Sequence, residues 1–284
     1  MVLLVLLGAE DLLEDSAASA LLAHQQLDRI RGRPESFDLV VQLHLFVPLI
    51  GAQRIEEDGI PRRLLPHQVG RARAEHHVVA LGMARAVDER MWILNRAGRI
   101  PFVISGQGHE GAQVGIAWAL EKGKDWIAPF YRSIATCLTF GMSARDILTA
   151  QYATANDPSS GGRQMPSHWG HNALNIVSSS SPTGTQFLQS VGAAEATMRA
   201  KMLDIANGFQ DDEVVYVSTG DGTTSEGEFW ESLNTASNLK LPVVYLVEDN
   251  GYAISVPVEV NTAGGSISKL VTGFPGLFIQ EVDG

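Results

Sequence analysis

The pattern of apolar and polar positions becomes regular from about residue 78 onward. Met83, Val87, Met91 and Leu94 are spaced so that they fall on one face of an α-helix. Gly98 follows at the point where such a helix would end. The spacing therefore predicts an amphipathic helix that starts near residue 78 and packs one apolar face against a core.

Short extended segments, helices and one long loop are predicted for the middle of the chain. The segments "IPFVIS" and "DWIAPFY" are predicted to be extended, and "GQGHEGAQVGIAWAL" to run from a loop into a helix of small residues. Ser143 and Asp146 have capping-box spacing, so a helix is expected to continue to about Tyr152. The segment "NDPSSGGRQMPSHWG" is predicted to be a long loop, a feature that is often functional. Another helix is expected from about Gln186 to Gly208.

The last part of the chain predicts a βαβ unit. The runs "EVVYVSTG" and "LPVVYLVEDNG" are typical of buried strands, and the segment between them places Phe229, Leu233 and Ala236 on one helical face. Ser225 and Glu228 have the spacing of a capping box at the start of that helix. A strand, a helix and a strand in this order indicate an α/β fold with a parallel sheet and a right-handed crossover.

Residues 1 to 77 show no sustained period and are interpreted as an unassigned N-terminal extension, with one domain over residues 78 to 284. The apolar run Val2–Leu7 is much shorter than the roughly 20 residues that span a membrane, and no basic stretch precedes it as in a signal peptide. His67, His76 and His77 have no ligand-spaced cysteine or carboxylate nearby, so they are interpreted as loop histidines rather than metal ligands.

Composition and charge narrow the class of protein. Hydrophobic residues make up 45% of the chain and charged residues 19%, which is enough apolar material for a real core. The net charge of −11 argues against a nucleic-acid partner, which requires basic surface. The single cysteine, Cys137, cannot form an internal disulfide and is interpreted as a buried thiol. We therefore expect a cytoplasmic protein with neither a membrane nor a nucleic acid as its partner.

Two polar loop tips follow the two strands of the βαβ unit. Asp221 follows the first strand and Asn250 follows the second, and ligands of parallel sheets bind beyond these strand ends. Carboxylate and amide oxygens suit Mg²⁺, which commonly shares its coordination with phosphate oxygens. Gly220 and Gly222 allow a phosphate to approach the backbone closely. The residues thus favour a Mg²⁺–diphosphate site, although Gly-Asp-Gly and Asp-Asn-Gly sequences are also common in ordinary turns.

The amino-acid sequence around Asp221 and Asn250 gives further support to that hypothesis. The segment "GDGTTSEGEFWESLNTASNLKLPVVYLVEDNGYAISVP" resembles the thiamine-diphosphate motif, and it is most similar to the alpha chain of the first component of 2-oxo acid dehydrogenase complexes. Two upstream stretches agree, "YR" and "GGRQMPSHWG…SSSSPTGTQFLQSVGAA", of which the latter is closest to the branched-chain members. The resemblance covers about residues 78 to 284. It implies a doubly wound parallel sheet with helices on both faces, which binds thiamine diphosphate and Mg²⁺.

The resemblance also implies roles for particular residues. The Mg²⁺ ligands would be the side chains of Asp221 and Asn250 and the backbone carbonyl of Tyr252. The remaining cofactor contacts are implied at Tyr131, Arg132, Ser181, Thr183, Gly220, Gly222 and Thr223. A structural K⁺ loop of the branched-chain members is matched by Ser180, Pro182, Thr185 and Gln186.

Several positions are ambiguous or depart from the family. His168 is either a pocket residue or a loop histidine, Arg163 either a ligand or a brace of the loop, and His109 is interpreted as structural. Glu248 stands where branched-chain relatives can place an arginine near the diphosphate, and a glutamate cannot pair with phosphate. Thr183 stands where a larger apolar residue usually supports the bent cofactor.

The implied activity is oxidative decarboxylation of a branched-chain or pyruvate-like 2-oxo acid, with acyl transfer to a lipoyl acyltransferase. A beta-type subunit, or a fused beta half, would complete a heterotetramer and supply the glutamate that activates the cofactor. The alpha-side catalytic histidine would lie beyond residue 284, so we expect a truncated chain that is inactive alone. The alternatives are an acetoin dehydrogenase, a transketolase-like enzyme, or a truncated subunit without catalytic activity.

Overall fold

The computed structural model of the chain describes residues 2–6, 66–205 and 213–282, with side chains from residue 76 onward. Its helices are α1 (Pro66–Arg96), α2 (Glu110–Ala119), α3 (Ile134–Phe140), α4 (Ala144–Gln151), α5 (Thr185–Met202), α6 (Gly227–Leu239), and the short α7 (Val258–Asn261) and α8 (Ile267–Leu270). Its strands are β1 (Val2–Leu6), β2 (Trp126–Ala128), β3 (Val215–Gly220), β4 (Val243–Glu248), β5 (Tyr252–Ala253), β6 (Val256–Pro257) and β7 (Phe278–Val282).

The main sheet has the strand order β2-β3-β4-β1-β7, and β5 and β6 form a separate small hairpin. Strands β2, β3 and β4 are parallel to one another, which confirms the predicted βαβ unit. Strand β1, which lies in the segment left unassigned by the sequence, is antiparallel to both β4 and β7 and makes the sheet mixed at this edge.

Helices cover both faces of the sheet, as predicted. On one face, α1, α2, α3 and α4 pack against alternate strand residues such as Tyr216, Val244 and Leu246. On the other face, α5 and α6 pack against the intervening residues, including Val217 and Tyr245. This alternation follows from the two-residue period of a strand, which sends successive side chains to opposite faces. The α/β class with two helical layers is confirmed.

Helix α1 differs in detail from its prediction. It begins at Pro66 rather than near residue 78, and it therefore runs across residue 77. The division into domains at that residue stays a prediction. Val87 and Met91 are buried as expected, whereas Met83 is 47% exposed and Ala84 takes the buried position. His76 and His77 lie within this helix rather than in a loop, and their rings face Trp118.

The helix starts illustrate how local hydrogen bonds decide the boundaries. The capping box of Ser143 and Asp146 is confirmed at the start of α4. The predicted box of Ser225 and Glu228 was wrong, because residues Asp221–Ser225 form a 3₁₀ turn and α6 begins only at Gly227. The Ser225 hydroxyl instead donates to the backbone carbonyl of Asn261.

Two further expectations concern burial. Cys137 is fully buried, and burial raises the pKa of its thiol, which confirms the interpretation of an unreactive core cysteine. Helix α5 ends at Met202, whereas the helix was predicted to continue to Gly208. None of the helices in the described ranges is both long enough and apolar enough to cross a membrane.

Candidate cofactor site

The sheet brings the two predicted loop tips together. Strands β3 and β4 are parallel neighbours, and Gly220 at the end of β3 is paired with Glu248 at the end of β4. Asp221 and Asn250 follow these two positions, and the backbone amide of Asn250 approaches the Asp221 carboxylate. The parallel register thus places the acidic tip and the amide tip side by side at one edge of the sheet.

Asp221 is suited to binding a cation. Its side chain is buried, and its Oδ2 atom has no hydrogen-bond partner among the described residues. Burial raises the pKa of Asp221 above its ordinary value, and the nearby charge of Asp249 raises it further. An ionised carboxylate in this position is costly until a cation compensates it. The unpartnered oxygen therefore fits the predicted metal-ligand role.

The loop after β4 is tightly turned. The Asn250 Oδ1 atom accepts a hydrogen bond of 3.0 Å from the backbone amide of Tyr252, and the Asp249 carboxylate accepts one of 2.8 Å from Gly251. An amide oxygen retains a second lone pair, so this turn leaves Asn250 able to bind a metal. The described residues contain no cluster of three or more His, Cys, Asp or Glu side chains that could hold a metal. The predicted Mg²⁺ ligands are of another kind, namely one carboxylate, one amide and one backbone carbonyl.

Gly222 allows the turn after β3 to lie directly under β5. A Cβ atom added at Gly222 would be 2.6 Å from the Cβ atom of Ala253, a distance that real Cβ atoms do not adopt. The glycine is therefore required for the close approach of the two loops, and the phosphate contact predicted for it stays a prediction. Thr223, the next residue, lines the neighbouring cavity.

A cavity of about 180 Å³ opens beside this turn. Its walls come from the segment before α2, the β2–α3 turn, the long loop, the turn before α5 and the turn after β3. The predicted site residues that line it are Tyr131, His168, Ser180, Ser181, Thr183, Gln186 and Thr223. Residues that are more than 90 positions apart in the sequence thus meet around one space.

His168 orients Ser181 within this cavity. The His168 Nδ1 atom lies 2.9 Å from the backbone carbonyl of Met165, and Nε2 lies 2.9 Å from the Ser181 Oγ atom. Because a carbonyl only accepts, we assign the proton of the neutral ring to Nδ1, which makes Nε2 the acceptor of the Ser181 hydroxyl. His168 thus lines the cavity and is also held by loop backbone, so its role as a pocket residue stays a prediction.

Tyr131 and Arg132 occupy the turn between β2 and α3. Tyr131 lines the cavity, and the Arg132 guanidinium lies over its ring at 5.4 Å from the centroid. One guanidinium nitrogen of Arg132 donates a 2.7 Å hydrogen bond to the backbone carbonyl of Ser105. A guanidinium has five N–H donors, so this bond orients the fork without consuming it.

The predicted K⁺ loop runs from the cavity wall at Ser180 into the first residues of α5. The Thr185 hydroxyl donates to the backbone carbonyl of Pro182 at 3.0 Å, and the Gln186 amide donates to the carbonyl of Ser218 at 3.2 Å. Ser180 lies on the cavity wall beside these residues. The four oxygen-bearing residues are close together, and their role as K⁺ ligands stays a prediction.

The structure locates the positions that depart from the family or are ambiguous. Glu248 is buried, and burial raises its pKa to about 8. Its Oε2 atom accepts a 2.9 Å hydrogen bond from the Gln113 side chain and lies 3.1 Å from the Nδ1 atom of His109. Thr183 lines the cavity in an exposed position. The exposed Arg163 donates to the backbone carbonyl of Ser160, which favours the interpretation of Arg163 as a brace of the loop.

Sequence reasoning missed seven residues that line the cavity: Phe102, Ile104, Pro129, Phe130, Met165, Ser167 and Ser179. Phe102 and Ile104 had a usable signal, since they alternate in the segment already predicted to be extended. Ser167 had none, because its positive φ of 66° depends on the surrounding loop. The Phe130 backbone is held by a 3.1 Å hydrogen bond from the Trp169 indole, which only the folded loop reveals.

The fold and the site define an α/β protein with a candidate cofactor cavity at the carboxyl ends of parallel strands. The chain belongs to the dehydrogenase E1 component family, whose model matches residues 80–284. It is 45% identical over 203 residues to the 2-oxoisovalerate dehydrogenase subunit alpha of Bacillus subtilis, a match that covers 71% of this chain and 59% of that subunit.

Other relatives agree with this assignment. The 3-methyl-2-oxobutanoate dehydrogenase subunit alpha of Mycobacterium tuberculosis is 35% identical over 245 residues, which cover 84% of this chain and 60% of that subunit. The mitochondrial 2-oxoisovalerate dehydrogenase subunit alpha of Mus musculus is 34% identical over 205 residues, a match that covers 72% of this chain and 44% of that subunit. The chain thus spans at most about three fifths of the length of these relatives.

Proposed function

We propose that this chain is the alpha-type part of a branched-chain 2-oxo acid dehydrogenase that uses thiamine diphosphate and Mg²⁺. The relatives named above act on 2-oxoisovalerate or 3-methyl-2-oxobutanoate by their names, which supports a branched-chain substrate. In the proposed reaction the 2-oxo acid loses CO₂ and its acyl group passes to a lipoyl acyltransferase. When bound, thiamine diphosphate would supply the carbanion nucleophile and the electron sink for the decarboxylation.

The observation that carries this proposal is the buried Asp221 carboxylate, whose Oδ2 atom has no partner among the described residues beside the Asn250 loop. Asp221, Asn250 and the backbone carbonyl of Tyr252 would hold Mg²⁺. A hard divalent cation with oxygen ligands neutralises the carboxylate and leaves coordination positions for phosphate oxygens. The metal would thereby bind the diphosphate to the strand ends.

The remaining site residues would bind and orient the cofactor. Gly220, Gly222 and Thr223 present backbone to the diphosphate. Tyr131 and the guanidinium fork of Arg132 would lie at its phosphate end, where paired N–H donors match phosphate oxygens. The cavity beside Thr223 offers Ser181, oriented by His168, and Thr183 to the other end of the cofactor.

A beta-type partner is proposed to complete the site. The hairpin β5–β6 and helix α7 follow the Asn250 loop and carry a cluster of exposed apolar side chains. Tyr252 is 59% exposed, Ile254 is fully exposed and Val260 is 75% exposed. Large exposed apolar side chains grouped beside a binding site suit a surface that another protein covers. The K⁺ loop is proposed to stiffen the turn before α5 in the same assembly.

Isothermal titration calorimetry tests the binding part of this proposal. Thiamine diphosphate should bind the 284-residue chain when Mg²⁺ is present and should bind far more weakly after the metal is chelated. Addition of a beta-type subunit should then give decarboxylation of 3-methyl-2-oxobutanoate. Metal-independent binding would contradict the assigned site. Turnover of acetoin, but of no 2-oxo acid, would contradict the assigned reaction.

A further inference from the structure

Glu248 is a buried acid that the proposed cofactor contacts do not use. It ends strand β4 two positions before Asn250, and only 1% of its surface is exposed. Its Oε2 atom accepts a hydrogen bond from the Gln113 side chain at 2.9 Å. A buried acid is costly unless it makes good hydrogen bonds, so this contact requires an explanation.

Gln113 connects two parts of the candidate site that are distant in the sequence. Its side chain is fully buried on α2, and its Nε2 atom donates both to Glu248 and, at 3.1 Å, to the backbone carbonyl of Arg132. Its Oε1 atom accepts a 3.0 Å hydrogen bond from the backbone amide of Ala135. One amide side chain therefore links the end of β4, which leads to the metal loop, with the turn that carries Tyr131 and Arg132.

The Arg132 backbone is confined from a second side as well. A Cβ atom added at Gly106 would lie 2.6 Å from the Arg132 carbonyl oxygen, so this segment packs directly on the turn. The Gly106 amide and the Ser105 hydroxyl both donate to the Asp88 carboxylate, at 2.7 and 2.9 Å. Ser105 in turn accepts the hydrogen bond from the Arg132 guanidinium. The Arg132 carbonyl also accepts a 2.8 Å hydrogen bond from the Ile134 amide, so Gln113 is the contact that ties this turn to the end of β4.

We propose that Gln113, seated on Glu248, is a positioning residue that fixes Arg132 relative to the Asp221–Asn250 metal loop. The proposal rests on the proposed function, because it assigns Arg132 to the diphosphate. Glu248 then acts as the fixed acceptor that orients the Gln113 amide and makes no contact with phosphate. The linkage sets the distance between the cationic and the metal-binding sides of the site before the cofactor arrives, which lowers the cost of binding.

The test measures thiamine diphosphate affinity by calorimetry, in the presence of Mg²⁺, for variants of the full 284-residue chain. Gln113→Met keeps the side-chain volume and removes both donors, so we expect the affinity to fall about tenfold. Glu248→Ala should give a similar loss, whereas Glu248→Gln keeps an acceptor for Gln113 and should stay within about twofold of the original chain. Thr197→Val is the control, since it removes a buried hydroxyl that bonds only within α5.

Coupling to Arg132 separates positioning from general destabilisation. In an Arg132→Met background, the affinity loss caused by Gln113→Met should largely disappear, because residues that act through one another are not additive. An undiminished loss in that background would overturn the positioning role, and so would Glu248→Gln weakening binding as much as Glu248→Ala. If Gln113→Met does not fold, Gln113→Asn, which shortens the amide, replaces it in the same comparison.

The two levels of inference fail differently. If Asp221→Ala and Arg132→Met bind thiamine diphosphate as well as the original chain, the proposed function is wrong. If both lose affinity while folded Gln113→Met retains it, only the positioning role is wrong. Thermal unfolding without cofactor is recorded for every variant, so that a loss of affinity is attributed only to chains that are folded under the assay conditions.

Discussion

The candidate site has two halves that are built in different ways. The strand-end half consists of Asp221, Gly222 and Asn250, which follow neighbouring parallel strands. The loop half consists of Tyr131, His168 and Ser181, which lie in irregular segments. In the strand-end half, Asp221 is buried and the loop geometry follows from the register of β3 and β4. In the loop half, Ser181 is exposed and is oriented by the His168 ring.

This difference shows what determines the side-chain geometry in each half of the site. The strand-end half is fixed by the backbone ladder of the sheet, so a side chain there has a defined position before any ligand binds. The loop half is fixed by hydrogen bonds between side chains and loop backbone, such as those of His168 with Met165 and of Trp169 with Phe130. We therefore expect variants of the strand-end half to remove metal-dependent binding, and variants of the loop half to weaken it by degrees.

Asp221→Ala should have the largest effect on binding. Removal of the buried carboxylate eliminates the metal ligand, so affinity for thiamine diphosphate with Mg²⁺ should fall at least about 100-fold, beyond the effect of losing an outer-shell partner. The unfolding temperature without Mg²⁺ should not fall, because the burial that raises the pKa of Asp221 makes its charge unfavourable in the fold. Calorimetry and thermal unfolding measure both. The matched control is Glu231→Ala on the exposed face of α6. Unchanged affinity in the Asp221 variant would contradict the metal assignment.

Gly222→Ala should damage the same half through the backbone. The added methyl group would overlap Ala253, so the turn or the β5 strand must move, at a cost of about 1–3 kcal/mol of folding stability. Metal-dependent binding should weaken together with stability. Gly192→Ala is the matched control, because a Cβ atom there meets nothing within 4 Å in α5, and it should stabilise the chain by about 0.5–1 kcal/mol. In denaturant unfolding, the free energy of unfolding should be lower for Gly222→Ala and higher for Gly192→Ala than for the original chain. Equal stability of the two variants would contradict this expectation.

His168→Phe should have a smaller effect, confined to the loop half. A phenyl ring fills the space of the imidazole but cannot accept the Ser181 hydroxyl, so thiamine diphosphate affinity should fall several-fold, in line with one neutral hydrogen bond. Ser181→Ala should match it, and the combination of both should be no worse than either alone. Ser178→Ala, in the same serine tract, is the control. Additive losses measured by calorimetry would show that the two side chains act separately.

The same division explains how much of the molecule could be predicted from the sequence. The βαβ unit and the meeting of Asp221 with Asn250 follow from strand periodicity and from the parallel register, which are properties of regular backbone. The positive φ of Ser167 and the contacts of His168 depend on the packing of a long loop, for which the sequence carries no periodic signal. The place of His168 in the site could be suggested only by resemblance to the family, and that of Ser167 was not suggested at all.

One wrong prediction and one feature that was not predicted have the same origin. Ser225 and Glu228 have the spacing of a capping box, but the residues after Asp221 continue as a 3₁₀ turn, and the Ser225 hydroxyl bonds to Asn261 instead. The direction of β1 is likewise set by its partners β4 and β7, which lie more than 230 residues away. Local pattern thus predicts an element, whereas long-range pairing decides its direction and its end.

The smallest expected effect concerns Asp88, which anchors the Ser105–Gly106 segment beneath Arg132. Burial raises the pKa of Asp88 above its ordinary value of 3.8, so the folded chain holds this proton more tightly than the unfolded chain. Its contribution to stability is therefore complete below the ordinary pKa and diminishes as the pH rises through the interval between the unfolded and the folded pKa. In Asp88→Asn this decline should be absent, since the amide does not titrate. Urea unfolding between about pH 4 and pH 7, with Glu89→Gln on the exposed side of α1 as control, measures it. A variant whose stability declines with pH as steeply as that of the original chain would show that Asp88 does not contribute to the slope.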